Sequence, residues 1–381
     1  MFTIWANGEA LHHPNLYIDG NVVSNPKFTS ALNTHGSGTM VVPQTNPLYD
    51  SILPRKTYIT VKNELGDVWR GRVISVNRGW NNTKTVYCEG ELSYLTDSIQ
   101  TPYGFKGSPE ALLRFLISVH NAQMPDAGRR FTVGTVTVTD PNNNIVRSWS
   151  EPMNTWQAIE EKLLDTLGGY IILRPNRVID YLSRLTDVST QTVKFGENLL
   201  DLTEYISAEN IVTCMYAYGA ELDPDDPNYM EEPPENDFWD GNRLTIPALK
   251  ANGSGDFAGF DSVSIWGEIW GSNTWDDVTV AANLKAKAVE WLKEQFLENL
   301  TIEARAVDLS ILDVDIDKIE VGQRVHVISP LHQINLWLMC KSKTLSLTRP
   351  DQTVIMLGAG RENLSELQRG VLRKWKPYST N

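Results

Sequence analysis

The sequence has few of the residues that build covalent or metal-dependent chemistry. It contains three cysteines and six histidines among 381 residues. Cys88, Cys214 and Cys340 lie far apart in apolar stretches, a pattern typical of small buried hydrophobic residues. They lack the paired spacing of a disulfide framework or a zinc site. We therefore expect a protein that folds in a reducing compartment.

Long apolar runs and basic clusters are also missing. No stretch approaches the roughly 20 consecutive apolar residues that a transmembrane helix needs. The N-terminus, MFTIWANGEALHHP, lacks the charged and apolar regions of a signal peptide. Acidic residues outnumber basic ones by 47 to 34, which gives a formal net charge of -13. Tight nucleic-acid binding relies on clustered Lys and Arg, so this balance disfavours a DNA- or RNA-binding function.

The spacings that characterise common hydrolases do not occur. There is no H-E-x-x-H zinc motif, and His326 and His332 lie six residues apart around a Ser-Pro turn. No G-x-S-x-G nucleophile elbow is present. A thiol nucleophile is disfavoured, because burial in an apolar strand raises the pKa of a cysteine. We expect no enzymatic activity, no catalytic residue and no cofactor.

One group of carboxylates could bind a cation. Asp313, Asp315 and Asp317 alternate with apolar residues, which places them on one face of a predicted strand. A calcium loop would also need a glycine turn and a bidentate glutamate at defined offsets. A solvated strand face is the commoner outcome, so we predict no metal site.

The balance of residues is that of a globular protein, with 41% hydrophobic and 21% charged residues. Period-two patterns joined by tight turns predict a β-rich α+β protein. The predicted segments are a first β-barrel-like domain at 1–98, an α+β insertion at 99–190, a second β-barrel-like domain at 191–220 and 300–360, an acidic loop with a Trp-rich stretch and a long helix at 221–299, and a C-terminal helix at 361–381.

Capping residues mark two helices in the insertion. Ser108 followed by Pro109 predicts one helix start, and Asn154 with Gln157 three residues later predicts another. A strand is predicted from Phe131 to Val138, and a hairpin from Tyr170 to Leu182. The strongest helical pattern in the chain runs from about Asp277 to Leu297.

Tryptophans are concentrated after the acidic loop, which contains no Lys or Arg between Glu221 and Asp240. Trp266, Trp270 and Trp275, together with Trp291 in the long helix, are candidate contacts for a subunit or partner interface. Stacking on the sugar rings of a cell-wall polymer is the alternative.

Several motifs resemble one family in both order and spacing. They are WRGRVISVN followed by TVYCEGELSYLTDSI, then NTWQ with GGYIILR and DYL, then ENLL, and finally VGQRVHVISP with its following hairpin. This order is similar to that of the phage tail hub family. These are tail-tip proteins of long-tailed phages infecting Gram-positive bacteria, often labelled prophage endopeptidase tail or tail-associated lysin.

The resemblance implies a structure similar to the baseplate hub of contractile tails. It also implies a homotrimer that plugs the distal end of the tail tube in the virion tail tip. The partners would be the distal tail ring, the tape-measure protein and receptor-binding tip proteins, with genomic DNA passing through the channel at ejection. Family members often continue into a lytic or carbohydrate-binding region, and we expect the hub alone here. A tail-associated peptidoglycan hydrolase and a carbohydrate-binding tail adhesin are the alternatives.

Overall fold

The computed structural model describes residues 2–16, 20–64, 66–140, 146–206, 211–232, 241–258, 260–276, 278–311, 316–332, 334–349 and 353–358. These fall into two compact units. Unit 1 comprises the described residues of Met1–Leu200, Arg305–His332 and Met339–Leu357, and unit 2 those of Asp201–Ala304 and Gln333–Leu338. Among the described residues, no helix is long and apolar enough to cross a membrane.

Strands predominate in both units. In chain order they are β1 (Thr3–Ala6), β2 (Glu9–His12), β3 (Ser24–Ala31), β4 (Ser37–Val42), β5 (Tyr58–Asn63), β6 (Gly66–Arg78), β7 (Lys84–Gly90), β8 (Ile99–Gln100), β9 (Tyr103–Lys106), β10 (Thr132–Val136), β11 (Val146–Trp149), β12 (Met153–Asn154), β13 (Tyr170–Arg174), β14 (Val178–Leu182), β15 (Val188–Lys194), β16 (Leu199–Ile206), β17 (Cys214–Glu221), β18 (Arg243–Lys250), β19 (Trp270–Thr274), β20 (Leu300–Ala306), β21 (Arg324–Ser329), β22 (Ile334–Ser346) and β23 (Val354–Gly358). The helices are α1 (Pro109–Gln123), α2 (Thr155–Ile159), α3 (Asp165–Leu167), α4 (Val263–Trp266) and α5 (Ala281–Asn299).

The main sheet of unit 1 has the order β23-β22-β3-β4-β7-β6-β5-β1-β2, and β21 joins β15 to β22. Burial alternates along its strands. In β4, for example, Gly38, Met40 and Val42 are buried, and the residues between them are more exposed. This alternation places one row of side chains in a core. Its largest fully buried members include Ile4, Leu11, Phe28, Met40, Ile52 and Ile59.

The C-terminal stretch is part of this N-terminal sheet. Strand β22 pairs with β3 in antiparallel register from Ser342 opposite Ala31 to Ser346 opposite Lys27. The hydroxyls of Thr29 and Thr344 lie 2.9 Å apart across the pair. The expectation of a β-rich α+β fold is confirmed. The five predicted segments and their boundaries stay a prediction.

A second core of unit 1 lies between α1, α2 and the β10-β14-β13 sheet. Both predicted caps are confirmed: the backbone N–H of Ala111 donates to the Ser108 hydroxyl, and that of Gln157 to Asn154 Oδ1. The predicted strand at 131–138 is shorter than expected. The Phe131 N–H donates to Asn121 Oδ1, so this residue is tied to α1 and β10 begins one residue later.

Unit 2 contains a three-stranded sheet with the order β18-β17-β19. Helix α5 contacts β17 and β18. It begins at Ala281, after a turn in which the Val278 N–H donates to the Trp275 carbonyl, and Asp277, near which the helix was predicted to begin, lies outside the described residues. The Val280 carbonyl then accepts from Asn283 and Leu284 and opens the helix.

Some predictions fall on parts of the chain that the structure does not describe. These are the C-terminal helix at 361–381, the second half of the acidic loop at 233–240, Asp313 and Asp315 of the alternating carboxylates, and the hairpin turn at 350–352.

Candidate interaction surfaces and the unit 1 cleft

The candidate tryptophans differ in exposure. Trp270 is 44% exposed and lies on β19, an edge strand of the unit 2 sheet. Trp266 on α4, Trp275 after β19 and Trp291 on α5 are half-buried. Among the four, Trp270 therefore offers the most surface to a partner.

Trp270 belongs to a partly exposed face of the unit 2 sheet. Along β17, Met215 and Ala217 are fully buried, whereas Tyr216 is partly exposed, as expected for alternating faces. The rings of Tyr216 and Trp270 lie 5.6 Å apart between centroids. The Lys250 ammonium lies 5.3 Å from the centre of the Trp270 ring. This face combines two aromatic rings with a cation.

The same ammonium is paired with a carboxylate. Lys250 Nζ donates to Glu268 Oε1 at 2.6 Å. This hydrogen bond raises the pKa of Lys250, which therefore stays charged at neutral pH. Beneath the pair, burial raises the pKa of the Cys214 thiol. The face thus presents polar groups that are already paired, beside apolar ring surface.

Sequence reasoning missed the most exposed of the described tryptophans. Trp80 is fully exposed at the tip of the β6–β7 hairpin. The turn is well ordered: the Gly79 N–H donates to the Thr83 carbonyl at 2.9 Å, and the Asn82 N–H to the Gly79 carbonyl at 3.1 Å. Tryptophan is enriched among the residues that contribute most to binding energy at interfaces, so the fully exposed Trp80 is a candidate contact residue. A basic stretch around it, with no Asp or Glu from Val68 to Cys88, was the signal available in the sequence.

Unit 1 also contains an open cleft of about 1030 Å³. Its walls include the β5–β6 hairpin, strand β13 and residues 316–321. Charged side chains in the walls pair with one another: Arg70 with Asp67, and Lys318 with Glu320 at 2.5 Å. Because both signs of charge are present and paired, the cleft does not select a strongly charged ligand.

One cleft wall is held by a buried ion pair. Lys343 Nζ donates to Asp308 Oδ2 at 2.6 Å and to the Ile319 carbonyl at 2.9 Å. Gln191 donates to the other carboxylate oxygen of Asp308. Burial alone would raise the pKa of Asp308, but the Lys343 ammonium and these hydrogen bonds outweigh it, and the pKa is lowered. The pair holds Asp308 and Ile319 against β22.

A second buried ion pair supports the β6 wall. Arg72 is 1% exposed and binds the Asp97 carboxylate, while Arg55 and Arg129 contact the same carboxylate from more exposed positions. Burial would raise the pKa of Asp97, but hydrogen bonding and charge from Arg72, with Arg55 and Arg129, lower it. The carboxylate is therefore ionised and committed to structure.

Two serine–histidine contacts resemble parts of a hydrolase site. Ser98 lies 2.7 Å from His120 Nδ1, and Ser329 lies 2.7 Å from His332 Nδ1. Both serines are 0% exposed. A substrate carbonyl could not reach either hydroxyl, so the contacts act as structural hydrogen bonds, although His332 itself is exposed.

The cysteines are buried in strands, as the sequence predicted. Burial raises the pKa of both Cys88 and Cys340 to about 12, which makes them poor nucleophiles at neutral pH. Of the alternating carboxylates, Asp317 accepts a hydrogen bond from Thr190 at 3.1 Å. Within the described ranges, no three His, Cys, Asp or Glu side chains are grouped so that they could hold a metal ion.

Comparison with known proteins finds one family model that matches part of the chain. Residues 187–368 match the family model described as prophage endopeptidase tail. The match covers a little under half of the chain. A comparison with curated proteins found no match.

Solved structures extend the likeness to nearly the whole chain. A tail protein from Neisseria meningitidis MC58 aligns over 94% of this chain and 95% of its own, with 16% identity and a TM-score of 0.64. The 43 kDa tail protein of prophage MuSo2 from Shewanella oneidensis aligns over 95% and 98%, with 12% identity and a TM-score of 0.64. Prophage tail protein gp18 from Listeria monocytogenes EGD-e aligns over 92% of both chains, with 15% identity and a TM-score of 0.57. At these identities the likeness shows a shared fold.

The region that matches the prophage endopeptidase tail family includes all four candidate tryptophans and the Asp308–Lys343 pair. It begins with β15 and runs beyond the last described strand, β23. The β6–β7 hairpin lies outside the matched residues. For the hairpin, the comparison rests only on the similarity in fold to tail proteins, which covers most of the chain.

Proposed function

We propose that this chain is a structural protein of a phage or prophage tail, located at the tail tip as the baseplate hub. The observation that carries the proposal is the family match over residues 187–368. The fold likeness to three tail proteins, each over more than 90% of both chains, supports it for the rest of the chain. The order of motifs in the sequence points to the same family.

In this proposal three copies form a ring that plugs the distal end of the tail tube. The ring joins the distal tail ring and the tape-measure protein to the receptor-binding tip proteins, and DNA leaves through its channel. Cyclic symmetry uses one interface three times. Trp270 and its partly exposed sheet face, with Trp266 and Trp275 nearby in sequence, supply candidate apolar contact surface.

Labelling of intact tails tests the location. Antibodies raised against the purified chain, coupled to gold, should bind the end of the tail distal to the head in electron micrographs. Binding along the tube or at the head-proximal end would contradict a tail-tip position. Tails from a phage lacking the gene provide the control for antibody specificity.

Substitution tests the proposed interface. Trp270→Ala and Trp266→Ala should weaken association of the protein, since tryptophans at interface centres commonly account for about 2 kcal/mol or more. Ile99→Ala, which removes an exposed apolar side chain in unit 1, is the matched control. Sedimentation velocity over a range of concentrations measures the effect.

A carbohydrate-binding adhesin is the second candidate, and one observation favours it. Trp270 and Tyr216 offer neighbouring aromatic rings beside the polar Lys250 and Glu268, an arrangement suited to a sugar ring. Calorimetry with soluble peptidoglycan fragments tests this function. Saturable binding that Trp270→Ala abolishes would support it, and heats equal to those of dilution would exclude it for this ligand.

For the hydrolase alternative, a zymogram of the purified chain should show no cell-wall clearing.

A further inference from the structure

The tip of the β6–β7 hairpin combines three properties. Trp80 is fully exposed. Its turn is held by backbone hydrogen bonds, and the Arg78 guanidinium donates to Asn82 Oδ1 at 2.9 and 3.2 Å. A side chain on an ordered turn loses little conformational entropy on binding, so the hairpin tip is preorganised for binding.

The tip is also positively charged in a strongly acidic protein. Arg78 and Lys84 face each other as the last residue pair of the hairpin. Among the described residues neither forms an ion pair: Arg78 binds a neutral amide oxygen, and the Lys84 ammonium donates to the Tyr49 carbonyl and lies 4.2 Å from the centre of the Tyr49 ring. The tip therefore has two cations without carboxylate partners beside an exposed indole. A binding partner that complements it would have an apolar surface surrounded by acidic groups.

Unit 2 carries a surface of that chemistry. The segment from Asp223 to Glu232 contains five carboxylates and no Lys or Arg. None of the five is in an ion pair with a described residue. Met230 lies among these carboxylates and is 46% exposed. The Asn242 side chain holds its backbone: it accepts from the Met230 N–H at 2.9 Å and donates to the Met230 carbonyl at 2.7 Å.

The segment is ordered in the same way as the hairpin tip. The Asp225 N–H donates to Asp223 Oδ1, and the Asn228 N–H donates to Asp226 Oδ1. Methionine is a polarisable side chain that packs well against aromatic rings. The Met230 segment, defined here as Asp223–Glu232, therefore complements the hairpin tip in charge and in apolar character.

We infer that the hairpin tip of one copy of this chain docks on the Met230 segment of the next copy. Trp80 packs against Met230, and Arg78 and Lys84 face the carboxylates. The contact is head-to-tail, because each copy contributes a different surface, and such a contact forms a ring when the rotation between successive copies closes. The inference rests on the self-association in the proposed function and names a contact that it leaves open.

Removal of the indole is the first test. Trp80→Ala should raise the dissociation constant of self-association by about tenfold or more, as expected for a central tryptophan contact. Leu331→Ala is the control, because Leu331 is 70% exposed and lies in unit 1 away from the hairpin sequence. Both variants should keep the circular dichroism spectrum of the wild type, since the replaced side chains are exposed.

Charge reversal is the second test. Arg78→Glu and Asp225→Lys should each weaken association, and the effect should shrink as salt is raised toward 1 M. The two changes together restore opposite charges across the contact, so the double variant should return to within about threefold of the wild-type dissociation constant. A double variant weakened by the product of the two single effects would overturn the inference.

The outcomes separate this inference from the proposed function. A wild-type protein that self-associates normally while Trp80→Ala behaves like Leu331→Ala overturns the hairpin contact and leaves the ring intact. A wild type that is monomeric at the highest attainable concentration overturns the contact as well. Gold labelling of tails still decides the proposed location in that case.

Discussion

At the scale of single residues, a buried group of three side chains, Asp308, Lys343 and Gln191, joins distant parts of unit 1. Asp308 and Lys343 are 35 positions apart, and Gln191 lies 117 positions before Asp308. No local pattern predicts that these three side chains meet. Their burial follows from the pairing of distant strands, so the ion pair could be found only in the folded chain.

Replacing one partner tests how much the Asp308–Lys343 pair contributes to the stability of the protein. Lys343→Met leaves the Asp308 carboxylate buried without its counter-charge, and we expect the free energy of unfolding to fall by about 3–5 kcal/mol. Lys318→Met is the control, because it removes one member of an ion pair whose two side chains are both about half-exposed. This variant should change the free energy of unfolding by less than about 1 kcal/mol. Urea unfolding of the two variants measures both values. Equal effects would contradict the assigned role.

The same pair predicts a pH dependence. The folded pKa of Asp308 is lowered, so its contribution to stability is present above the unfolded pKa of about 4 and is lost as pH falls through the folded value. In Lys343→Met the hydrogen bond from Gln191 remains but the counter-charge is lost, so the pKa of Asp308 is lowered less and its ionisation contributes less to stability. The difference in unfolding free energy between wild type and variant should therefore grow from pH 3 to pH 7. A constant difference would argue against an ionised Asp308.

At the scale of elements, the motifs in the sequence mark places where strands approach closely. The glycines of WRGRV and CEGEL are Gly71 and Gly90, which lie opposite each other on β6 and β7. A Cβ at Gly71 would lie 2.0 Å from the Glu89 carbonyl oxygen, and one at Gly90 would lie 2.1 Å from that of His35. Backbone atoms at this distance leave no room for a side chain.

Alanine substitutions test the close approach. Gly71→Ala should lower the free energy of unfolding by more than about 3 kcal/mol, because backbone must move to admit the methyl group. Gly104 lies in β9 with no atom within 4 Å of its added Cβ, so Gly104→Ala is the matched control and should be nearly neutral. Thermal unfolding distinguishes the two. A Gly71→Ala variant as stable as the control would show that β6 and β7 are spaced more widely.

Local elements were well predicted, and their long-range partners were not. Ser108 and Asn154 start helices because their side chains bond the first free N–H groups, an interaction within three residues. The pairing of β22 with β3 joins residues more than 300 positions apart, and alternation predicts each strand without its neighbour. The exposure of Trp80 and Trp270 likewise depends on what packs around them, which the sequence alone does not state.

At the scale of the whole molecule, the acidic balance bears on the proposed channel. A conduit for DNA should present few cations, because each neutralised phosphate adds affinity and slows transit. The chain has 47 acidic and 34 basic residues. We predict no duplex-DNA binding in a gel-shift assay at physiological salt. Salt-sensitive binding in the micromolar range would contradict a neutral or negative channel face.

The central claim is a ring of three copies at the tail tip. The most direct measurement is the solution mass of the purified chain, alone and mixed with its distal tail ring protein, combined with electron microscopy of the resulting particles. The account predicts a species of three times the monomer mass, seen as a ring with threefold symmetry and an open or plugged centre. A protein that stays monomeric alone and with its tail partner, or that forms a ring of another symmetry, would contradict it.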